Sequence, residues 1–174
     1  MNLDLRASGL LALLLIVLAA CDVFRPSIAT AQELGPIKLT EKQMQNFIAA
    51  HQEMAKLYAG ADPDKPDPKL EAQAEAIAKK NGFASVAEHA AVTMNIEIIM
   101  AGIDLKTKNF TEPPEQIRQE IARLRADKSV PEAQKKQILP QLERALQRAK
   151  PIQFKENIAL VMKYFDKLPP PMQP

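Results

Sequence analysis

The side chains that could do chemistry in this chain are few. Its two histidines are His51 and His89. His89, Thr93 and Glu97 step by four residues, a spacing that places them on one face of a helix. They interrupt an apolar stretch containing Val92, Ile96, Ile98, Ile99 and Met100. A glutamate in such a stretch either lies on a solvated stripe or is buried with a partner. These three residues form the candidate polar site, suited to a ligand or a proton. A di-iron centre needs Glu and His three apart on paired helices, whereas Glu88 adjoins His89 and Glu53 stands two places after His51. No metal site is therefore expected. The absence of a C-x-x-C-H motif excludes covalent haem. Met44, Met54, Met94, Met100 and Met162 offer axial ligands, but methionine at helical spacing fills cores, and no cofactor is expected. Ser27, Ser85 and Ser129 fall in a processed segment or at helix caps. No nucleophile elbow or glycine-rich phosphate loop accompanies them. No catalytic residue is identified, and the chain reads as a non-enzyme.

The elements that would position these residues follow an apolar leader. Leu10 to Ala20 is an unbroken apolar run, too short to span a bilayer and suited to the core of a secretory signal, with Arg6 before it. Two cleavage sites compete. Leu18-Ala19-Ala20-Cys21 resembles the lipobox of bacterial lipoproteins, which implies lipidation of Cys21, the one cysteine. Asp22 after it then implies retention at the inner membrane. Ala29-Thr30-Ala31 is an ordinary signal-peptidase site. The leader is accordingly residues 1–20, or alternatively 1–31, followed by a tether to residue 38, a helical domain over 39–168 and a Pro-rich tail over 169–174. Either cut places the domain in the periplasm, with membrane contact only through a lipidated N-terminus.

Helix signals then recur in order. Thr40 and Gln43 make a capping box ahead of Met44, Phe47, His51, Met54 or Ala55, and Tyr58, and Gly60 closes that helix. Asp67 caps a second helix with Pro68 in its first turn. Leu70, Ala74, Ile77 and Ala78 face inward, and Asn81-Gly82 stops it. Ser85 and Glu88 form another capping box for a helix over about 86–101, apolar on nearly all sides and hence central. A fourth helix follows Thr111, Glu112 and Pro113, with Ile117, Ile121 and Leu124 inward. A fifth follows Ser129, with Leu139, Leu142 and Leu146 inward, and Pro140 should kink or split it. The last covers about 153–167, with Ile158, Val161, Met162 and Phe165 inward. No strand-like alternation is read anywhere. The fold class is all-α, a bundle of five or six helices around 86–101, with helices one to three in one layer and four to six in the other.

Composition agrees with that class. There is no Trp and aromatics are 5%, so Leu, Ile, Val, Met and Ala must build the core, a palette that favours helix. A net charge of +2 does not point to nucleic acid. Residues 32–104 are net acidic and residues 105–174 net basic, which suits packing of opposite charges, or an anionic partner such as a lipid headgroup.

Leu39-Thr40-Glu41-Lys42-Gln43 matches the LTxxQ signature of the Spy/CpxP family of small periplasmic helical proteins, and Val130 to Gln134 resembles a degenerate second copy. The wider sequence is similar to small exported all-helical proteobacterial proteins. The resemblance implies an ATP-independent chaperone or envelope-stress modulator that holds unfolded clients weakly. Two readings follow: a binding or interaction module for unfolded or envelope proteins, and a carrier of a small hydrophobic ligand such as a lipid between helices.

Overall fold

The computed structural model describes residues 35–62, 65 and 67–169. The leader, both cleavage sites, Cys21, most of the tether and the end of the tail lie outside them. The described residues form six α-helices and no sheet: α1 Glu41–Tyr58, α2 Pro68–Lys80, α3 Val86–Ala101, α4 Pro113–Ala126, α5 Glu132–Arg148 and α6 Glu156–Tyr164, with a 3-10 turn at Phe165–Lys167. None of these helices is long and apolar enough to cross a membrane.

Two compact units divide the chain. One comprises residues 35–103 and 153–169, the other 104–152. In the first, α3 packs against α1, α2 and α6, and α1 packs against α2 and α6. The expected layering is thereby corrected, because the last helix joins the first three. Its inward stripe also differs from the one expected. Asn157, Val161, Tyr164 and Leu168 are buried, whereas Ile158, Met162 and Phe165 are half-buried. The turn of the helix is set by Asn157, whose carboxamide is used inside.

Local side-chain caps set the starts of α1, α2 and α3. Thr40 Oγ1 accepts from Gln43 N–H at 3.2 Å, and Gln43 Oε1 accepts from Thr40 N–H at 3.0 Å, so both orphan donors are satisfied. Leu39 at N′ and Met44 at N4, the two staple positions, are both buried. Asp67 accepts from Lys69 N–H. Ser85 accepts from Glu88 N–H, but Glu88 reaches back to Ala84 N–H at 2.7 Å, one residue before the expected box partner. Gly82 holds φ +87°, and a Cβ there would meet the Asn46 side chain at 2.8 Å. That side chain instead donates to Gly82 C=O, so the turn between α2 and α3 is tied to α1 and needs glycine.

Polar side chains also tie these helices to one another. Glu75 on α2 accepts from Val86 N–H at 2.7 Å, satisfying the first turn of α3. Gln43 on α1 donates to Glu88 on α3 at 3.1 Å. Glu41 accepts from Lys163 and from Tyr164 Oη on α6, so the end of the last helix is tied to the start of the first.

In the second unit, Ile117, Ile121, Leu124 and Leu142 form the core, and Ile138, Leu139 and Leu146 pack against it half-buried. Helix α5 runs unbroken through Pro140, which is exposed. The expected split does not occur. Leu142 and its neighbours hold both sides of the helix against α4, and this outweighs the missing hydrogen bond. Proline in a helix interior costs about 3 kcal/mol. Pro140→Ala is therefore expected to raise thermal stability, by about 1–3 kcal/mol after allowance for unfolded-state entropy. Thermal unfolding followed by far-UV circular dichroism checks this, and an unchanged midpoint would contradict it.

Candidate functional site

Helix α3 carries all three residues of the polar site expected from the sequence, and the structure gives each a separate environment. His89 is 9% exposed. Its ring stacks on Phe47 at 6.1 Å and meets Phe83 edge-on at 5.1 Å, while Phe47 also touches His51 at 5.7 Å. His89 Nε2 is buried without a hydrogen-bond partner among the described residues. Burial, and then the nearby charge of His51, push its pKa down to about 4. Burial also lowers His51. His89 is thus a neutral member of an aromatic cluster that joins α1 to the start of α3.

Thr93 is half-buried, and its hydroxyl donates to the His89 carbonyl at 2.9 Å. That bond occupies its proton within the helix. Glu97 lies on the exposed surface of α3, beside Ile98, which is 42% exposed. The surrounding protein still desolvates its carboxylate enough to raise its pKa. Among the described residues, no hydrogen bond joins the three side chains to one another. Nor does any group of three or more His, Cys, Asp or Glu stand ready to hold a metal ion.

The most elaborate polar arrangement on α3 is built on a different residue. Asn95, one turn before Ile99, is buried. Its Oδ1 accepts from Ile37 N–H at 3.2 Å, and its Nδ2 donates to Gly35 C=O at 3.4 Å and to Ala91 C=O at 2.8 Å. On α6, Asn157 is 2% exposed. Its Oδ1 accepts from Leu39 N–H at 2.9 Å, and its Nδ2 donates to Ile37 C=O at 2.8 Å. Each carboxamide therefore accepts from one backbone residue and donates to the residue two before it, as a neighbouring strand would. Two side chains pair four consecutive polar groups along one edge of an extended segment.

That segment, residues 35–40, alternates in burial. Gly35, Ile37 and Leu39 turn inward, while Pro36, Lys38 and Thr40 turn out. Strand-like alternation therefore does occur, over too few residues to stand out in a helical sequence, and the part of the expected tether from Gly35 onward is docked. Lys38 pairs with Glu156 beside the clamp. Asn95 stands in the sequence as a polar residue on another face of α3 from His89, Thr93 and Glu97, with nothing local to say whether it is buried. Asn157 was not legible, because the apolar residues around it fit a helix face without it.

The aromatic cluster sets an acid response. The folded state keeps His89 neutral down to about pH 4, while the unfolded chain takes up a proton near pH 6.5. Stability from this group is complete above the unfolded value and falls as pH drops from about 6.5 to 4, by at most about 3 kcal/mol. Urea denaturation at pH 7 and pH 4.5 measures it. His89→Phe, which preserves the ring contacts, is expected to flatten the dependence; an unaltered slope would contradict the assignment. Comparison of the chain with family models, curated proteins and solved structures finds no match, so the geometry of these residues is what bears on function.

Proposed function

We propose that this chain is an exported, non-enzymatic interaction module that holds extended segments of unfolded or envelope proteins in a chaperone-like manner. The observation that carries the reading is the Asn95–Asn157 clamp. It is a helical surface whose side chains pair with an extended main chain rather than with a particular side chain. Recognition of backbone tolerates many sequences, which is what a holder of unfolded chains needs. An open groove between α1 and α2, lined by Leu57, Ala76 and Ile77 together with Glu53, Lys56 and Gln73, adds an amphiphilic surface for weak contacts.

The alternative, a carrier of a small hydrophobic ligand, needs a pocket beside α3. Val92, Ile96 and Ile99, which would line one, are fully buried in the core, and this favours the first reading. The apolar run ending at Leu18-Ala19-Ala20-Cys21 supports a periplasmic location with a lipid anchor at Cys21. Such an anchor would keep the module near polypeptides that emerge across the membrane.

The test is aggregation of a chemically denatured client protein, followed by light scattering without ATP. The folded chain is expected to suppress scattering at about equimolar to several-fold excess, in line with many weak contacts to exposed apolar segments. No suppression at that excess would overturn the reading.

A further inference from the structure

The clamp is filled by the chain's own residues, and the manner of filling says what else it takes. Four of its five bonds go to main-chain atoms of Gly35, Ile37 and Leu39. The fifth, from Asn95 to Ala91 C=O, stays within α3. Specificity is therefore confined to what the inward side chains allow, which is nothing at position 35 and a branched aliphatic at 37 and 39. The hold is uneven. The Asn157 bonds are 2.8 and 2.9 Å long, while the Asn95 bonds to the strap are 3.2 and 3.4 Å. Gly35 and Ile37 are only half-buried, whereas Leu39 is buried. The strap is thus held most weakly at the end away from α1. Its release needs rotation only near Thr40, which is extended and outside the helix proper. On release, Asn95 keeps its bond to Ala91, and the freed amide groups gain water.

We propose that the Asn95–Asn157 face of α3 and α6 is a receptor for extended segments of other polypeptides, and that residues 35–39 are a cis occupant that such segments displace. The segment recognised has a small residue, then apolar residues at the second and fourth following positions, with no charge turned inward. The strap acts as a built-in competitor. It keeps the carboxamides paired in the resting chain and lowers the apparent affinity for clients, so that only segments presenting this pattern take the site. This inference rests on the reading of the chain as a holder of polypeptides.

The experiment uses the folded mature chain and a fluorescein-labelled peptide with the sequence of residues 34–40, Leu-Gly-Pro-Ile-Lys-Leu-Thr. Ile37→Asp turns a charge toward the groove and expels the strap without altering the receptor. Fluorescence anisotropy is expected to show the peptide binding this variant at least about ten-fold more tightly than the unaltered chain, because removing the cis competitor raises the competent fraction. Adding Asn157→Leu to the same variant is expected to abolish the gain. Equal affinity for both chains, or a gain that survives Asn157→Leu, overturns the proposal. A dimer that forms with rising concentration of Ile37→Asp and consumes the peptide site also overturns it, since the occupant is then a second copy. Should Ile37→Asp not fold, amide exchange of the unaltered chain decides. The Ile37 and Leu39 amides are expected to exchange about a hundred-fold faster than those of Val92 and Ile96, through local opening, and exchange at the global rate overturns the proposal. Peptide binding without aggregation suppression would count against the holding function alone; suppression without Asn157-dependent binding would count against this site alone.

Discussion

An extended backbone inside a helical protein has no neighbouring strand to take its N–H and C=O groups, and buried groups left unpaired cost more than paired ones gain. Here that constraint is met by side chains. The carboxamide of asparagine is the one short side chain that presents a donor and an acceptor with the geometry of a peptide group. Asn95 and Asn157 supply two of them, on helices far apart in sequence. Their placement fixes the path of residues 35–39, and with it Leu39 under the start of α1 and the capping box at Thr40. It also fixes the turn of α6, since Asn157 must face inward although Ile158 would be the apolar choice.

The same logic recurs through this unit. Helix starts are held by side chains from other elements: Glu75 for α3, Gln43 and Glu88 between α1 and α3, Glu41 with Lys163 and Tyr164 between α1 and α6. The exception is His89, whose buried Nε2 has no hydrogen-bond partner among the described residues and sits in a neutral ring among Phe47, Phe83 and His51. Burial of that ring joins α1 to α3 and ties the stability of the pair to pH.

How much of this was legible follows from how local each signal is. The helical class, the bounds of α3, and the caps at Thr40, Asp67 and Ser85 rest on residues within a turn of one another, and the structure has them where the spacing predicts. The inward face of α4 also follows from its spacing, through Ile117, Ile121 and Leu124. What was not legible depends on contacts across more than fifty residues. Asn157 bonds a strap 118 positions earlier. The last helix joins the first three. Pro140 is a separate case: it is carried through an unbroken α5 by packing against α4, its neighbour in sequence. The line of His89, Thr93 and Glu97 was correct as a helix face. Its residues nevertheless have three different environments, because a helix surrounded by others presents each turn to a different neighbour.

Two buried carboxamides, rather than apolar contact alone, hold the strap and through it the entry to α1. Equilibrium urea denaturation of Asn157→Ala tests it most directly. Loss of that side chain leaves Leu39 N–H and Ile37 C=O without their partner, and the expected cost is about 2–4 kcal/mol, with a smaller loss for Asn95→Ala. A change below about 0.5 kcal/mol, the range of ordinary surface substitutions, would contradict the account.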